Sequence, residues 1–202
     1  KLIMHNIIFG TPIWVYQLDN HEWLNDKIQQ ETIGFKVGMN LFDMQGEAIQ
    51  SLKNTVKVYA DQIAIEYRWR NLPTSIHGRQ NPIFSGGCDT PHFHMGSKLV
   101  AIYYVRVPPN SGDILLHDPR GYTNWEDPNV VTEDTGKSCR AYHRVKVEEG
   151  MLLIHPSYLV HSVETNMSPE MRLSIAVERS TDEIVQILIN KHHVGMDMYN
   201  VE

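Results

Sequence analysis

Cysteine is scarce. The 202 residues contain two, Cys88 and Cys139, too few for a disulfide framework, so the sequence predicts reduced thiols in a cytoplasmic setting. Long apolar runs are missing as well. No stretch nears the ~20 residues of a membrane span, and Lys1 to His5 lack the basic and then apolar pattern of a cleaved leader. Positive charge is in the minority, with 18 Lys and Arg against 24 Asp and Glu for a net charge of −6. That balance argues against a surface that grips nucleic acid by counterion release. There is no phosphate-binding glycine loop, no nucleophile elbow and no Cys-X-X-Cys metal pair.

What remains is ordinary globular material. With 42% hydrophobic and 21% charged residues, the chain has enough apolar surface for one substantial core. We read it as one domain, 1–202, with N-terminal strands and supporting helices over 1–70, a barrel core over 71–180 and an extension over 181–202. Ile7-Ile8-Phe9 and Ile13-Trp14-Val15-Tyr16 predict short strands, broken by Gly10-Thr11-Pro12. A helix is expected from His21 to about Thr32. A longer one is expected from Glu47 to about Tyr67, where Ala48, Leu52, Val56, Tyr59 and Ile63 recur at helical spacing.

Past Pro73 the pattern changes to short strands between Gly, Pro, Asn and Asp. Lys98 to Val107, Asp113 to Leu116, Val145 to Val147 and Met151 to Ile154 are predicted strands. Met171 to Glu178 alternates, with Leu173, Ile175 and Val177 on one face and Arg172, Ser174 and Ala176 on the other. A short helix is expected around Ile184 to Ile189, and Lys191-His192-His193 reads as surface. Helices followed by many short strands predict a mainly β, α+β domain: a jelly-roll barrel, or double-stranded β-helix, buttressed by helices on one side.

The densest chemical signal is Gly86-Gly87-Cys88-Asp89-Thr90-Pro91-His92-Phe93-His94. Residues two apart on a strand share a face, so His92 and His94 can aim at one ion. His161, at the end of Pro156-Ser157-Tyr158-Leu159-Val160-His161, is the candidate third ligand once intervening strands bring it back. Eleven histidines in the chain make a chance His-X-His unremarkable; the flanking glycines and proline are what single this one out. Arg172 and Ser174 follow on the next strand. A buried arginine is costly unless an anion pairs with it, and its planar fork suits a carboxylate. Strand alternation alone leaves open whether Arg172 or Leu173 faces inward.

Gly86, five residues and His-X-His, then Gly150, five residues, Pro156 and His161, resemble the two cupin motifs. The expected Glu after the His pair is absent, and Tyr158 stands where cupins have Gly. The closer resemblance is to the Fe(II)/2-oxoglutarate oxygenases, in which a distal His is followed a strand later by Arg-X-Ser. Ala101-Ile102-Tyr103-Tyr104-Val105 is similar to the Ile-Tyr-Tyr-Leu run of prolyl hydroxylases. His92-Phe93-His94, Tyr103-Tyr104, Asp118-Pro119-Arg120 and Pro156 to His161 together resemble the small oxygenases of phages and marine bacteria. This resemblance implies Fe(II) on His92, His94 and His161. It also implies 2-oxoglutarate held by Arg172, Ser174 and Tyr104, with O2 as oxidant and hydroxylation as the default outcome.

Most members of that family place a carboxylate where His94 stands. Three neutral imidazoles would leave the iron one positive charge richer. Water in place of His94, or Asp89 reaching in from the preceding turn, are the other ways to complete the shell. A cupin-type dioxygenase or isomerase and a metal-free jelly-roll binding module also stay open, as do the primary substrate and a homo-oligomeric state. Arg120 to Tyr142, with Arg120, Tyr122 and Trp125, is a candidate lid.

Overall fold

A computed structural model describes residues 10–36, 39–119 and 142–181. The expected strand at Ile7 to Phe9, the lid residues 120–141 with Arg120, Tyr122 and Trp125, Cys139, and everything after Thr181 lie outside the described residues. The element order is β1 (Trp14–Gln17), α1 (His21–Glu31), a 3-10 turn (Leu41–Asp43), α2 (Glu47–Glu66), β2 (Ser75–Ile83), β3 (Asp89–His92), β4 (Leu99–Arg106), β5 (Ile114–His117), β6 (Tyr142–Val145), β7 (Met151–Pro156), β8 (His161–Val163) and β9 (Arg172–Ser180). Both helices fall where they were expected, the second of them from its apolar spacing. β6 ends at Val145 rather than spanning Val145 to Val147; the Val147 amide instead donates to the Asp113 carboxylate, which takes that residue out of the ladder.

The strands form two antiparallel sheets, one ordered β1-β7-β4-β9-β2 and the other β3-β8-β5-β6. β4 explains why the larger sheet needs cover on both faces, since Leu99 to Val105 are all buried. Its odd-numbered residues Leu99, Ala101, Tyr103 and Val105 join Leu173, Ile175 and Val177 of β9 and the α2 stripe Leu52, Val56, Ala60 and Ile63 in one cluster. Its even-numbered residues Val100, Ile102 and Tyr104 pack inward with Ile114 and Leu116 of the smaller sheet. Period-2 alternation thus splits one apolar run between a helix-backed layer and a barrel interior.

α2 begins at Gly46, which offers no side-chain cap. The Glu31 carboxylate, at the end of α1, takes that role by accepting from the Ala48 and Ile49 amides at 3.1 Å each. A negative group at a helix N-terminus also complements the helix dipole. These bonds tie α1 to α2, and the helical layer covers the outer face of β4 and β9.

Candidate metal centre

Antiparallel pairing of β3 with β8 sets His92 directly opposite His161. The ladder shifts register between Asp89 and His92, and β3 ends there. His94 therefore lies beyond the strand, against the expectation that one strand would carry both histidines. Its amide donates to the Ser157 carbonyl at 3.1 Å, so the loop before β8 brings it alongside. One ring nitrogen from each of His92, His94 and His161 lies within 4.8 Å of the others. The His94 and His161 rings are nearly parallel, 1° apart in plane with centroids 5.2 Å apart.

Hydrogen bonding fixes which nitrogen is free. Nδ1 of His92 meets the Thr90 carbonyl at 2.7 Å, Nδ1 of His161 meets the Leu159 carbonyl at 3.1 Å, and Nδ1 of His94 meets Glu178 Oε1 at 2.8 Å. Each acceptor requires a proton on Nδ1, which leaves the Nε2 lone pair of each ring for a cation. Burial, seconded by the neighbouring His155, holds His161 down to about 3, so its lone pair stays available at neutral pH. The Asp89 carboxylate accepts from Asn81 Nδ2 at 2.7 Å and stands outside the group of three.

Across the larger sheet, Tyr104 of β4, Ser174 of β9 and Asn81 of β2 sit in one register row. They line the same narrow cleft as the three histidines and Arg172. The inward face of β9 is thus the even-numbered one, with Arg172 and Ser174. Arg172 is 1% exposed. Its guanidinium donates to the Gly112 carbonyl at 3.0 Å and lies 5.2 Å from the Tyr104 ring centroid. Gly112 has φ +84°, and a Cβ there would come within 2.6 Å of the Glu164 carbonyl, so the turn that supplies this acceptor requires glycine.

No carboxylate contacts Arg172 among the described residues, its Nε has no partner, and the Tyr104 hydroxyl, which faces the guanidinium, finds no acceptor for its own proton there. Burial lowers the arginine's pKa, opposed by Tyr104, Asp89 and Asp113, and burial raises that of Tyr104, which stays a protonated donor. A buried cation and an idle hydroxyl both call for an anion. The cleft offers about 20 Å³ of free space, room for about one water. A wider groove of about 750 Å³, lined by Trp14, Tyr67, Trp69 and Tyr158, contains none of these groups.

Sequence reading missed two residues of this centre. Glu178 sits at the end of the alternating run with nothing in its spacing to tie it to His94. His155 is fully buried, its ring centroid is 4.7 Å from that of His161, and its Nε2 has no partner among the described residues. Of the motif Asp118-Pro119-Arg120, the last residue lies outside the described residues.

Residues 81–178 match the family model described as "Putative 2OG-Fe(II) oxygenase". No curated protein sequence matches the chain. Among solved structures, a Pseudomonas putida prolyl-4-hydroxylase superposes with a TM-score of 0.58 at 13% identity, covering 85% of this chain and 86% of that one. A Trichoplax adhaerens prolyl hydroxylase, in complex with a peptide fragment of the hypoxia inducible factor oxygen degradation domain, gives 0.58 at 14%, covering 87% and 86%. The epimerase SnoN, in complex with Fe3+, alpha ketoglutarate and nogalamycin RO, gives 0.57 at 15%, covering 85% and 79%. These likenesses show the fold, the double-stranded β-helix expected from the strand pattern.

Proposed function

We propose a reaction for this chain, whose residues 81–178 match the 2OG-Fe(II) oxygenase family model: with iron held by His92, His94 and His161, it hydroxylates a second substrate at the expense of 2-oxoglutarate and O2. When bound, Fe(II) and 2-oxoglutarate supply oxidative decarboxylation, in which one oxygen atom goes to succinate, CO2 leaves, and the other enters a substrate C–H bond. The protein's share is placement. Three Nε2 lone pairs converge because three Nδ1 atoms are tied back to fixed acceptors. Arg172 pairs with the far carboxylate of the keto acid, and the Ser174 and Tyr104 hydroxyls donate to the same end. Ile102, Ile114 and Val163 line the cleft and keep water from the reacting centre.

The observation that carries this reading is the wholly buried Arg172 without a carboxylate partner among the described residues, in the same cleft as three histidines ready for a cation. A cupin-type reaction would use the histidines and leave that arginine's charge unanswered. The test is to add Fe(II) and 2-oxoglutarate to metal-free protein without oxygen and record the visible charge-transfer band of the chelate. The band is expected to vanish in His161→Ala and to need far more 2-oxoglutarate in Arg172→Ala. Iron binding that is indifferent to 2-oxoglutarate would return the reading to a cupin-type enzyme, and no metal binding would leave a jelly-roll binding module.

A further inference from the structure

We propose that Glu178 is a positioning residue for the iron site: its carboxylate holds His94 from behind and supplies the negative charge that a three-histidine ligand set lacks. The inference rests on the iron-site reading and adds a residue to it.

His94 is the ligand with the weakest claim to a fixed position, because β3 stops two residues before it. Its side chain is nevertheless 4% exposed, and something must hold the ring there. Glu178 does so, with Oε1 accepting from Nδ1 at 2.8 Å. The other oxygen, Oε2, accepts from Ser97 Oγ at 3.0 Å, and the Arg79 guanidinium lies 3.4 Å from Oε1. Glu178 is on the inward, even-numbered face of β9, in line with Arg172, Ser174 and Ala176, where the register sets it opposite Val100 of β4 and His77 of β2. A central strand of the larger sheet therefore carries the anchor, even though a loop carries the ligand.

The three ligands are not held alike. His92 and His161 lean on backbone carbonyls, and His94 alone leans on a carboxylate. A carboxylate behind an imidazole makes the ring more basic toward a metal and fixes its tautomer. It also carries a full negative charge, one ring removed from the ion. In the usual facial triad that charge is itself a ligand; in this chain His94 takes the ligand position and Glu178 stands behind it. Arg79 is half exposed and draws off part of that charge, whereas Ser97 only orients the carboxylate.

Glu178→Gln keeps the shape of the side chain and removes the charge. The measurement is Fe(II) and Co(II) affinity of metal-free protein, by anaerobic titration against a chelator, with melting temperature followed with and without metal. Glu178→Gln is expected to weaken metal binding by about 10- to 100-fold, to shrink the rise in Tm that metal produces, and to shift the Co(II) visible spectrum. Glu178→Asp should recover part of the affinity. A purely structural tie between β9 and the His94 loop predicts the reverse pattern: a lower Tm without metal and an unchanged metal affinity, which would overturn the proposal. Should Glu178→Gln fail to fold, Ser97→Ala frees the same carboxylate from its second anchor; a several-fold loss of metal affinity supports the proposal and none overturns it. Wild-type protein that binds neither metal would sink the iron site itself, whereas tight wild-type binding matched by Glu178→Gln would sink only the positioning role of Glu178.

Discussion

β9 carries two arginines, each 1% exposed, that live by different rules. Arg179 faces the helical side and is answered there: the Asp61 carboxylate of α2 accepts at 2.9 Å, the Ser75 carbonyl at 3.0 Å and the Pro73 carbonyl at 2.6 Å. Arg172 faces the barrel interior and has one carbonyl, that of Gly112. The same split runs along β4. Tyr103, on the helical side, donates to Asn25 Oδ1 at 2.6 Å. Tyr104, one residue on and facing inward, donates to nothing among the described residues. On the helical side the arginine meets a carboxylate and the tyrosine an amide oxygen, although Arg179 Nε and Asn25 Nδ2 have no partner among the described residues; on the barrel side neither the arginine nor the tyrosine meets a side-chain acceptor. A buried cation without a carboxylate, beside a hydroxyl that donates to nothing, costs stability and marks where a ligand completes the structure.

The two arginines give the widest test of that division. Arg179→Met strands Asp61 and two carbonyls, and should cost roughly 3 kcal/mol or more of unfolding free energy, with 2-oxoglutarate binding unaffected in whatever protein remains folded. Arg172→Met removes a buried charge that has no carboxylate partner, so stability should hold or rise. Its 2-oxoglutarate affinity should fall by at least about 30-fold. Urea unfolding and titration of the chelate band measure both quantities. If Arg172→Met destabilised the protein as severely as Arg179→Met, Arg172 would be a structural residue and the inner face would not be a ligand site.

Titration distinguishes the faces as well. On the inner face burial holds His155 down to about 4 and His161 to about 3, below the ~6.5 of an unfolded chain. A histidine with a lowered folded pKa favours the folded state above the unfolded value and gives that advantage up as pH falls. Metal-free protein should therefore lose stability from about pH 6.5 down toward 4, at up to about 1.4 kcal/mol per pH unit for each ring. Glu178 acts lower. Burial would raise its carboxyl, but the His94 and Ser97 hydrogen bonds and Arg79 outweigh that and hold it at about 2, so its contribution fades between about 4.5 and 2. His155→Leu should flatten the upper part of the profile, since it also removes the partnerless Nε2. An unchanged slope between pH 7 and 5 in that variant would assign the dependence elsewhere.

The helical layer was the more legible half in the amino-acid sequence. Apolar spacing from Glu47 to about Tyr67 and alternation over Met171 to Glu178 come from periodicity, which is local; the helix spans Glu47–Glu66 and the strand Arg172–Ser180, two residues longer at its C-terminal end than expected. β2 was not legible: Ser75 to Ile83 contains Gly78 and Pro82 and little apolar content, tolerable because it is an edge strand of its sheet. Placing His92 and His94 on one strand used the two-residue rule where the ladder, irregular between Asp89 and His92, ends at His92. Glu178 is 84 residues from His94, and only the closing of the barrel joins them. Facing was the other hidden quantity, since alternation gives two faces without saying which is inward. Tertiary packing decides that, and it put Arg172 with Tyr104 and left Tyr103 to Asn25.

Those adjacent tyrosines give the smallest and cleanest contrast, because removal of one oxygen atom leaves both rings in place. Tyr103→Phe abandons Asn25, which is buried and whose amide nitrogen already lacks a partner, so about 1 to 2 kcal/mol should be lost. Its effect on 2-oxoglutarate affinity should be nil. Tyr104→Phe removes a hydroxyl that donates to nothing among the described residues, at the cost only of its contact with the Arg172 guanidinium, and keeps the ring over which Arg172 lies. Its stability should match or slightly exceed that of the wild type, and its 2-oxoglutarate dissociation constant should rise several-fold as one donor to the carboxylate is lost. Urea midpoints and chelate titrations on the pair decide the matter. If both hydroxyls affected stability alike and neither affected binding, the division between an outer face whose tyrosine and arginine meet partners in the chain and a ligand-completed inner face would fail at its most conservative point. If each variant moved only its own observable, that division would hold at the level of a single oxygen atom on neighbouring residues of one strand.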